Sequence, residues 1–246
     1  MITLAKKLIT CSGTTEELEV NGYVEFVSST PMTITPKYTN SGVTLRYSLD
    51  SITWTPIVSG VTTPSANIIY FIGRAAGTKS LYTASSSSNA WTFSGATNLE
   101  CNGKLDRLLQ GYLGGDNDIL TIGANCFNYM FYNSTTLIKA PKLPATTLPD
   151  YCYQNMFQNC TSLTTPPSLP ATTLQSNCYY QMLYGCTKIK LSTTLTGIYD
   201  TAYRIPTTGT GITATDALAS MFTATGGTFK STPSINTTYY TENTPT

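Results

Sequence analysis

The stretch Cys152-Tyr-Gln-Asn-Met-Phe-Gln-Asn-Cys-Thr-Ser-Leu163 decides how this chain is read, because its pattern recurs 26 residues earlier and 26 residues later. Cys126, Cys152 and Cys178 fall in step, as do Met130, Met156 and Met182, then Leu137, Leu163 and Ile189, and then Leu143, Leu169 and Leu195. Pro141 and Pro144 are matched by Pro167 and Pro170. A unit of this length cannot bury its own apolar face, so the period predicts units that stack and share one core. Within the unit, Cys152, Met156 and either Phe157 or Cys160 stand at the offsets of a single inward helical face, which predicts a short helix over 150–159 with Asp150 capping its first turn. An extended piece over 161–165 is expected to point Leu163 inward, and Pro166 and Pro167 stop it. The predicted core is therefore Cys126, Met130, Leu137, Cys152, Met156, Cys160, Leu163, Leu169, Cys178, Met182, Cys186 and Ile189.

Away from this centre the period weakens. Met221 follows Met182 by 39 residues, so an insertion precedes a further predicted helix at 217–222 and a degenerate capping repeat at about 212–238. Regular repeats are expected over about 122–195. Toward the start, Val43, Leu45 and Tyr47 alternate at period two, and 68–72 is a short apolar run, both signs of strands. Residues 1–94 therefore predict a small all-β, sandwich-like module, and 95–246 a repeat module, giving a mixed α and β protein. Trp54 and Trp91 are read as packing residues of the first module before any carbohydrate platform.

Charge excludes some partners. Only 14 basic and 13 acidic residues occur in 246, so no strong field exists to steer nucleic acid, and no stretch is apolar enough for membrane insertion. The chain instead carries 46 threonines, which suit β-rich surfaces kept soluble by hydroxyls. Residues 1–11 do not read as a secretory signal, so the sequence is expected to be a mature fragment or to reach its destination outside the general secretion route, for example in a particle released by lysis. Seven cysteines leave at least one unpaired, and Ser134 stands where Cys160 and Cys186 recur, which favours buried thiols over one bridge per repeat.

The absence of histidine removes the usual general base, and no phosphate-cradling glycine pattern occurs, so neither catalytic residues nor a cofactor is expected. Asp116 and Asp118 in a glycine-rich loop are weak candidates for a metal, against the plainer reading of a solvated turn. Tyr129, Tyr132, Tyr153, Tyr179 and Tyr180 form a candidate aromatic stripe for a sugar or a protein, against the alternative of packing within the stack.

The strings Leu143-Pro-Ala-Thr-Thr-Leu148 and Cys152 to Leu163 resemble the BspA-like class of leucine-rich repeats, found in surface proteins of gut and oral bacteria and in proteins of their phages. Leu45-Arg-Tyr-Ser-Leu-Asp50 with Tyr70-Phe-Ile-Gly-Arg74 looks more loosely like a β module that precedes such repeats. The resemblance implies a right-handed leucine-rich-repeat solenoid of short parallel strands and short helices, with adhesion as its usual role. It leads to the expectation of a non-enzymatic phage virion component, a fibre or head decoration, with a bacterial cell-surface adhesin as alternative and a polysaccharide-degrading enzyme as a third reading. Expected partners are other virion proteins or further copies of the chain, as a homo-oligomer and for a fibre a trimer, together with a host glycan or protein.

Overall fold

The computed structural model describes residues 22–110, 121–205 and 214–246. Its main sheet is organised by β1 (Val24–Thr35), whose first half buries Val24 and Phe26 and whose second half buries Met32 and Ile34. An irregularity between Val27 and Met32 re-aims the strand, so one strand serves different partners at its two ends. Beside it run β2 (Val43–Ser48), the three-residue edge strand β3 (Thr55–Ile57), β4 (Ala66–Ala75), β5 (Thr92–Ser94), β6 (Leu99–Asn102) and β7 (Leu137–Lys139). The order is β3-β2-β4-β1-β6-β7, with β5 on the far half of β1; β6 and β7 pair in parallel and the other pairs are antiparallel. The helix α1 (Arg107–Gln110) packs on β4, where Gly73 has no room for a side chain beneath the Leu108 carbonyl.

This sheet crosses the boundary expected between residues 94 and 95. β6 and β7 both come from beyond it, and the aromatic side chains continue across: Phe26 and Phe93 meet Phe131 at centroid distances of 6.3 and 5.8 Å. One hydrophobic cluster runs from Val24 to Tyr239, so the first 94 residues are part of a larger core and not a sandwich closed on itself.

The segments predicted as helices are not helical. Over 125–133, 151–159 and 177–185 every fourth residue is left-handed: Asn125, Tyr129 and Asn133; Tyr151, Asn155 and Asn159; Asn177, Gln181 and Gly185, with φ between 49° and 73°. A fourth segment follows the same rule at Asp216, Ser220 and Ala224. Left-handed residues cannot be propagated in a right-handed helix, so the segments become strings of turns. Their N–H groups then divide two ways. Met130 and Tyr132 donate three residues back, to Phe127 and Tyr129, whereas Phe127, Tyr129 and Phe131 donate to the Cys152, Gln154 and Met156 carbonyls of the next segment at 2.8 to 2.9 Å. The ladder continues from Tyr153, Asn155 and Phe157 to Cys178, Tyr180 and Met182, and from Tyr179, Gln181 and Leu183 to Ala217, Ala219 and Met221. Hydrogen bonds that a helix would keep within itself are thus spent between segments.

The leucine-rich-repeat solenoid of strands and helices, and with it the BspA-like resemblance, is overturned by this geometry. Among the described residues the one α-helix is α1, four residues long; it holds Leu108 and Leu109, where the sequence allows a short helix, whereas the segments 150–159 and 217–222 expected to be helical are not. The sheets are mixed and do not repeat: besides the main sheet there is a two-stranded pair of β8 (Thr147–Leu148) and β9 (Thr173–Leu174), and a sheet ordered β11-β13-β10-β12, from β10 (Lys190–Ser192), β11 (Thr201–Ile205), β12 (Gly226–Gly227) and β13 (Thr237–Thr241). The described residues form a mixed sheet domain with one short helix. The i, i+4 apolar spacing misled because a turn string with a left-handed residue every fourth position presents the same offset inward.

Inside the turn ladder, side chains 26 apart lie in columns. Phe127, Tyr153 and Tyr179 stack at 6.1 and 5.9 Å, and Phe131 stacks on Phe157 at 5.3 Å. Met130, Met156, Met182 and Met221 are all fully buried. The ladder ends in the chain's own residues: Leu81 and Trp91 donate to the carbonyls of Cys126 and Met130 on one side, and on the other Ser220 and Phe222 donate to the Thr232 hydroxyl and the Ser231 carbonyl.

Candidate functional site

On the outer face of the main sheet, where buried residues alternate with exposed ones, β1, β6 and β7 bring polar side chains together. Glu25 lies opposite Asn102, Glu100 opposite Lys139, and a parallel bridge sets Lys104 beside Lys142. The chain is fastened here by Lys142 N–H donating to the Gly103 carbonyl and Leu105 N–H to the Lys142 carbonyl, at 2.9 and 3.0 Å. Gly103 takes φ 87°, and a side chain on it would press on the Tyr23 carbonyl, so glycine is needed for the close approach.

The result is a cavity of about 330 Å³ whose lining includes Glu25, Asn102, Lys104, Arg107, Lys139 and Lys142, with Tyr23 and Thr246 also on its wall. Four cationic side chains and one acidic side chain therefore line a single cavity, in a chain with only 14 basic residues altogether. Two further carboxylates stand close by: Glu100 lies 4.0 Å from the Lys139 ammonium, and Asp106 accepts from Gln110 at 3.0 Å. The Asn102 amide donates to Glu25 at 3.1 Å, which fixes the amide's orientation and turns its Oδ1 the other way; that oxygen is buried with no hydrogen-bond partner, as is Thr246 Oγ1. Beside Glu25, burial and then the carboxylate's charge push the Tyr70 phenol up to about 12, and burial raises Tyr23 as well. Burial raises the Cys101 thiol, making it a neutral wall and not a nucleophile.

Sequence reasoning did not find this site. Its residues come from positions as far apart as Glu25 and Lys142, and the pairing of β1 with β6 could not be read from alternation alone. One signal was available: Lys104 and Arg107, and Lys139 and Lys142, form two pairs with the same spacing in a chain otherwise poor in charge.

The tyrosine stripe does not form as a row. Tyr153 and Tyr179 are 1% exposed inside the aromatic column, so they cannot meet a ligand. Tyr129, Tyr132 and Tyr180 are half-buried on the ladder's outer side, with Tyr129 and Tyr132 edge to face at 5.3 Å. The twelve residues assigned to the core, Cys126, Met130, Leu137, Cys152, Met156, Cys160, Leu163, Leu169, Cys178, Met182, Cys186 and Ile189, are at most 2% exposed. Six cysteines are described, all free and buried. The Cys160 and Cys186 thiols donate to the Phe131 and Phe157 carbonyls of the preceding segment, at 3.1 and 3.0 Å. Asp116 and Asp118 lie outside the described residues; among the described residues no group of three or more Cys, Asp or Glu could hold a metal ion. Among them too, no helix is long and apolar enough to cross a membrane.

Compared with known proteins, the chain matches no protein-family model, no curated protein and no solved structure. The expectation of a virion component or surface adhesin displaying leucine-rich repeats fails with the architecture on which it rested, since neither such a repeat surface nor a likeness to phage or adhesin proteins is found.

Proposed function

We propose that this protein binds a small organic anion in the cavity between β1, β6 and β7. The observation that carries this reading is the convergence of Lys104, Arg107, Lys139 and Lys142 on one concavity whose lining has a single acidic side chain, Glu25. A cavity of about 330 Å³ is at the small end of ligand sites, which lie at roughly 300–1,000 Å³. Low-dielectric walls strengthen the pull of clustered cations on an anion. The Arg107 guanidinium, held on α1, suits a planar carboxylate or a phosphate, while the lysines supply mobile point charges. Binding fits better than turnover, because the lining offers one acidic side chain, no histidine and a thiol kept protonated by burial.

Calorimetric titration with citrate at low ionic strength tests the reading. Citrate is expected to bind and to weaken as salt screens the site. The charge reversal Lys142→Glu, at an exposed position, should weaken binding at least tenfold in a protein that still melts cooperatively. Failure of citrate and of inorganic phosphate to bind at millimolar concentration would refute it.

A further inference from the structure

Among the described residues, all sheet edges but one are short or carry a residue that discourages pairing with another chain. The edge strand β3 has three residues, and Pro56 at its centre lacks an N–H. Both β5 and β7 are also three residues long, and β7 ends in Lys139. The strands β8, β9 and β12 have two residues each, with Gly227 of β12 at φ 80°. The exception is β11 (Thr201–Ile205), which ends the sheet ordered β11-β13-β10-β12 and runs five residues with neither proline nor glycine. Among the described residues β13 is its one strand partner. We propose that a second copy of this chain pairs with this edge, each β11 lying antiparallel to the other across a two-fold axis at Ala202.

Charge complementarity selects this occupant. Asp200, Ala202 and Arg204 are exposed, whereas Tyr203 and Ile205 are buried and Thr201 is half-buried, so the first three share the outer face of the sheet. A segment with an acid at one end and a base at the other is complementary to its own reverse, which is what a two-fold contact requires. With the axis at Ala202, residue 202 lies opposite itself and residue 200 opposite residue 204 of the other copy. Asp200 then meets Arg204 once on each side of the axis, and the small alanine lets the strands approach at the centre. A shift of one residue in either direction removes both pairs, so the charges specify the register. Arg204 is held on this face by its own cross-strand bond, Nη1 donating to Thr238 Oγ1 at 3.3 Å, and a guanidinium has five donors with which to bridge that hydroxyl and a carboxylate. The turn leading into β11 carries Leu195 and Ile198, 63% and 54% exposed, and antiparallel pairing brings each copy's turn beside the far end of the other's strand. A net charge of +1 opposes the approach of two copies only weakly. One strand pair is a small interface, so the dimer is weak and dependent on concentration.

Sedimentation of the full chain at low salt, from micromolar to millimolar concentration, tests the proposal with Asp200→Arg, Arg204→Asp and the double exchange of both. The parent chain is expected to pass from monomer to dimer. Each single change should weaken the dimer at least tenfold by setting like charges opposite one another, and the double exchange should restore it to within about threefold. Because both positions are exposed, all three variants should still melt cooperatively. Ala202→Cys should form a disulfide-linked dimer on mild oxidation faster than the parent chain does, since the new thiols face each other at the axis. A parent chain that stays monomeric at millimolar concentration, or that forms a larger assembly and no dimer, refutes the proposal. So does a dimer unaffected by either single change, because its interface then lies elsewhere. A dimer that the double exchange fails to restore, or that Ala202→Cys fails to link, overturns the axis at Ala202.

Discussion

The main sheet and the turn ladder share one core but hold their backbones by opposite rules. In β2, Val43 and Leu45 are buried and Thr44 and Arg46 exposed, the two-residue alternation that any sheet facing a core on one side must show. In the ladder the chain turns back on itself every few residues, and each segment needs left-handed residues at fixed places before its N–H groups can reach the next segment. The sheet asks for β-branched and apolar side chains along an extended strand. The ladder asks for backbone permissiveness first, and asparagine supplies it at Asn125, Asn133, Asn155, Asn159 and Asn177 because its short polar side chain tolerates the left-handed region. A regular apolar period therefore does not identify an element until the residues between the apolar ones have been weighed for φ.

Core truncations in the two regions give the largest effect. Phe157→Ala in the ladder should cost about 3–5 kcal/mol, because the ring is fully buried between its column neighbours, and Phe71→Ala in β4 should cost a similar amount. Urea unfolding followed by two probes would show both variants losing stability in one shared transition. Two separate transitions would mean that the sheet and the ladder do not form one cooperative core.

Raising the pH should act next, and unequally. Burial lifts the Cys178 and Cys186 thiols to about 12, and Cys126, Cys152 and Cys160 are raised in the same direction for the same reason. The unfolded chain then releases these protons first, so it binds fewer protons than the folded state and stability falls with pH. The contribution is whole below the unfolded thiol value of about 8.5 and is lost progressively between there and about 12. The midpoint of urea unfolding is expected to drop clearly from pH 7 to pH 10.5, and Cys178→Ser with Cys186→Ser should flatten that slope. A midpoint insensitive to pH would mean the thiols are exposed to water in the native state.

The smallest expected effect separates turn strings from helices by its sign. At Asn177, φ 56°, alanine should cost about 1 kcal/mol, since an alanine side chain resists the left-handed region. In a helix the same change would stabilise, alanine being the better helix former. Thermal melts of Asn177→Ala and Asn125→Ala decide it: a raised melting temperature in both would overturn the ladder.

Much of the sheet was legible. The alternation at Val43, Leu45 and Tyr47 falls within β2, and the apolar run over 68–72 lies inside β4, because strand periodicity is a local property. The ladder was legible only in its spacing. Cys152, Met156 and Cys160 do share an inward face, yet the four-residue offset is common to helices and to these turns, and the deciding signal was the asparagine and glycine between them. The cavity was not legible, since Glu25 and Asn102 meet only through an antiparallel register 77 residues apart in sequence.

The ladder's two closed ends bear on what the backbone of another copy of this charge-poor chain would meet there. A row of open N–H and C=O groups is a template on which another chain's backbone can nucleate, and repulsion between like-charged molecules is weak at a net charge of +1. Leu81 and Trp91 occupy acceptors at one end, and Ser231 and Thr232 take up donors at the other. Both ends of the ladder are thus closed to further backbone pairing by the chain's own residues, and a variant that loosened residues 231–232 would be expected to uncover the Ser220 and Phe222 N–H groups and to scatter more light at high concentration than the parent chain.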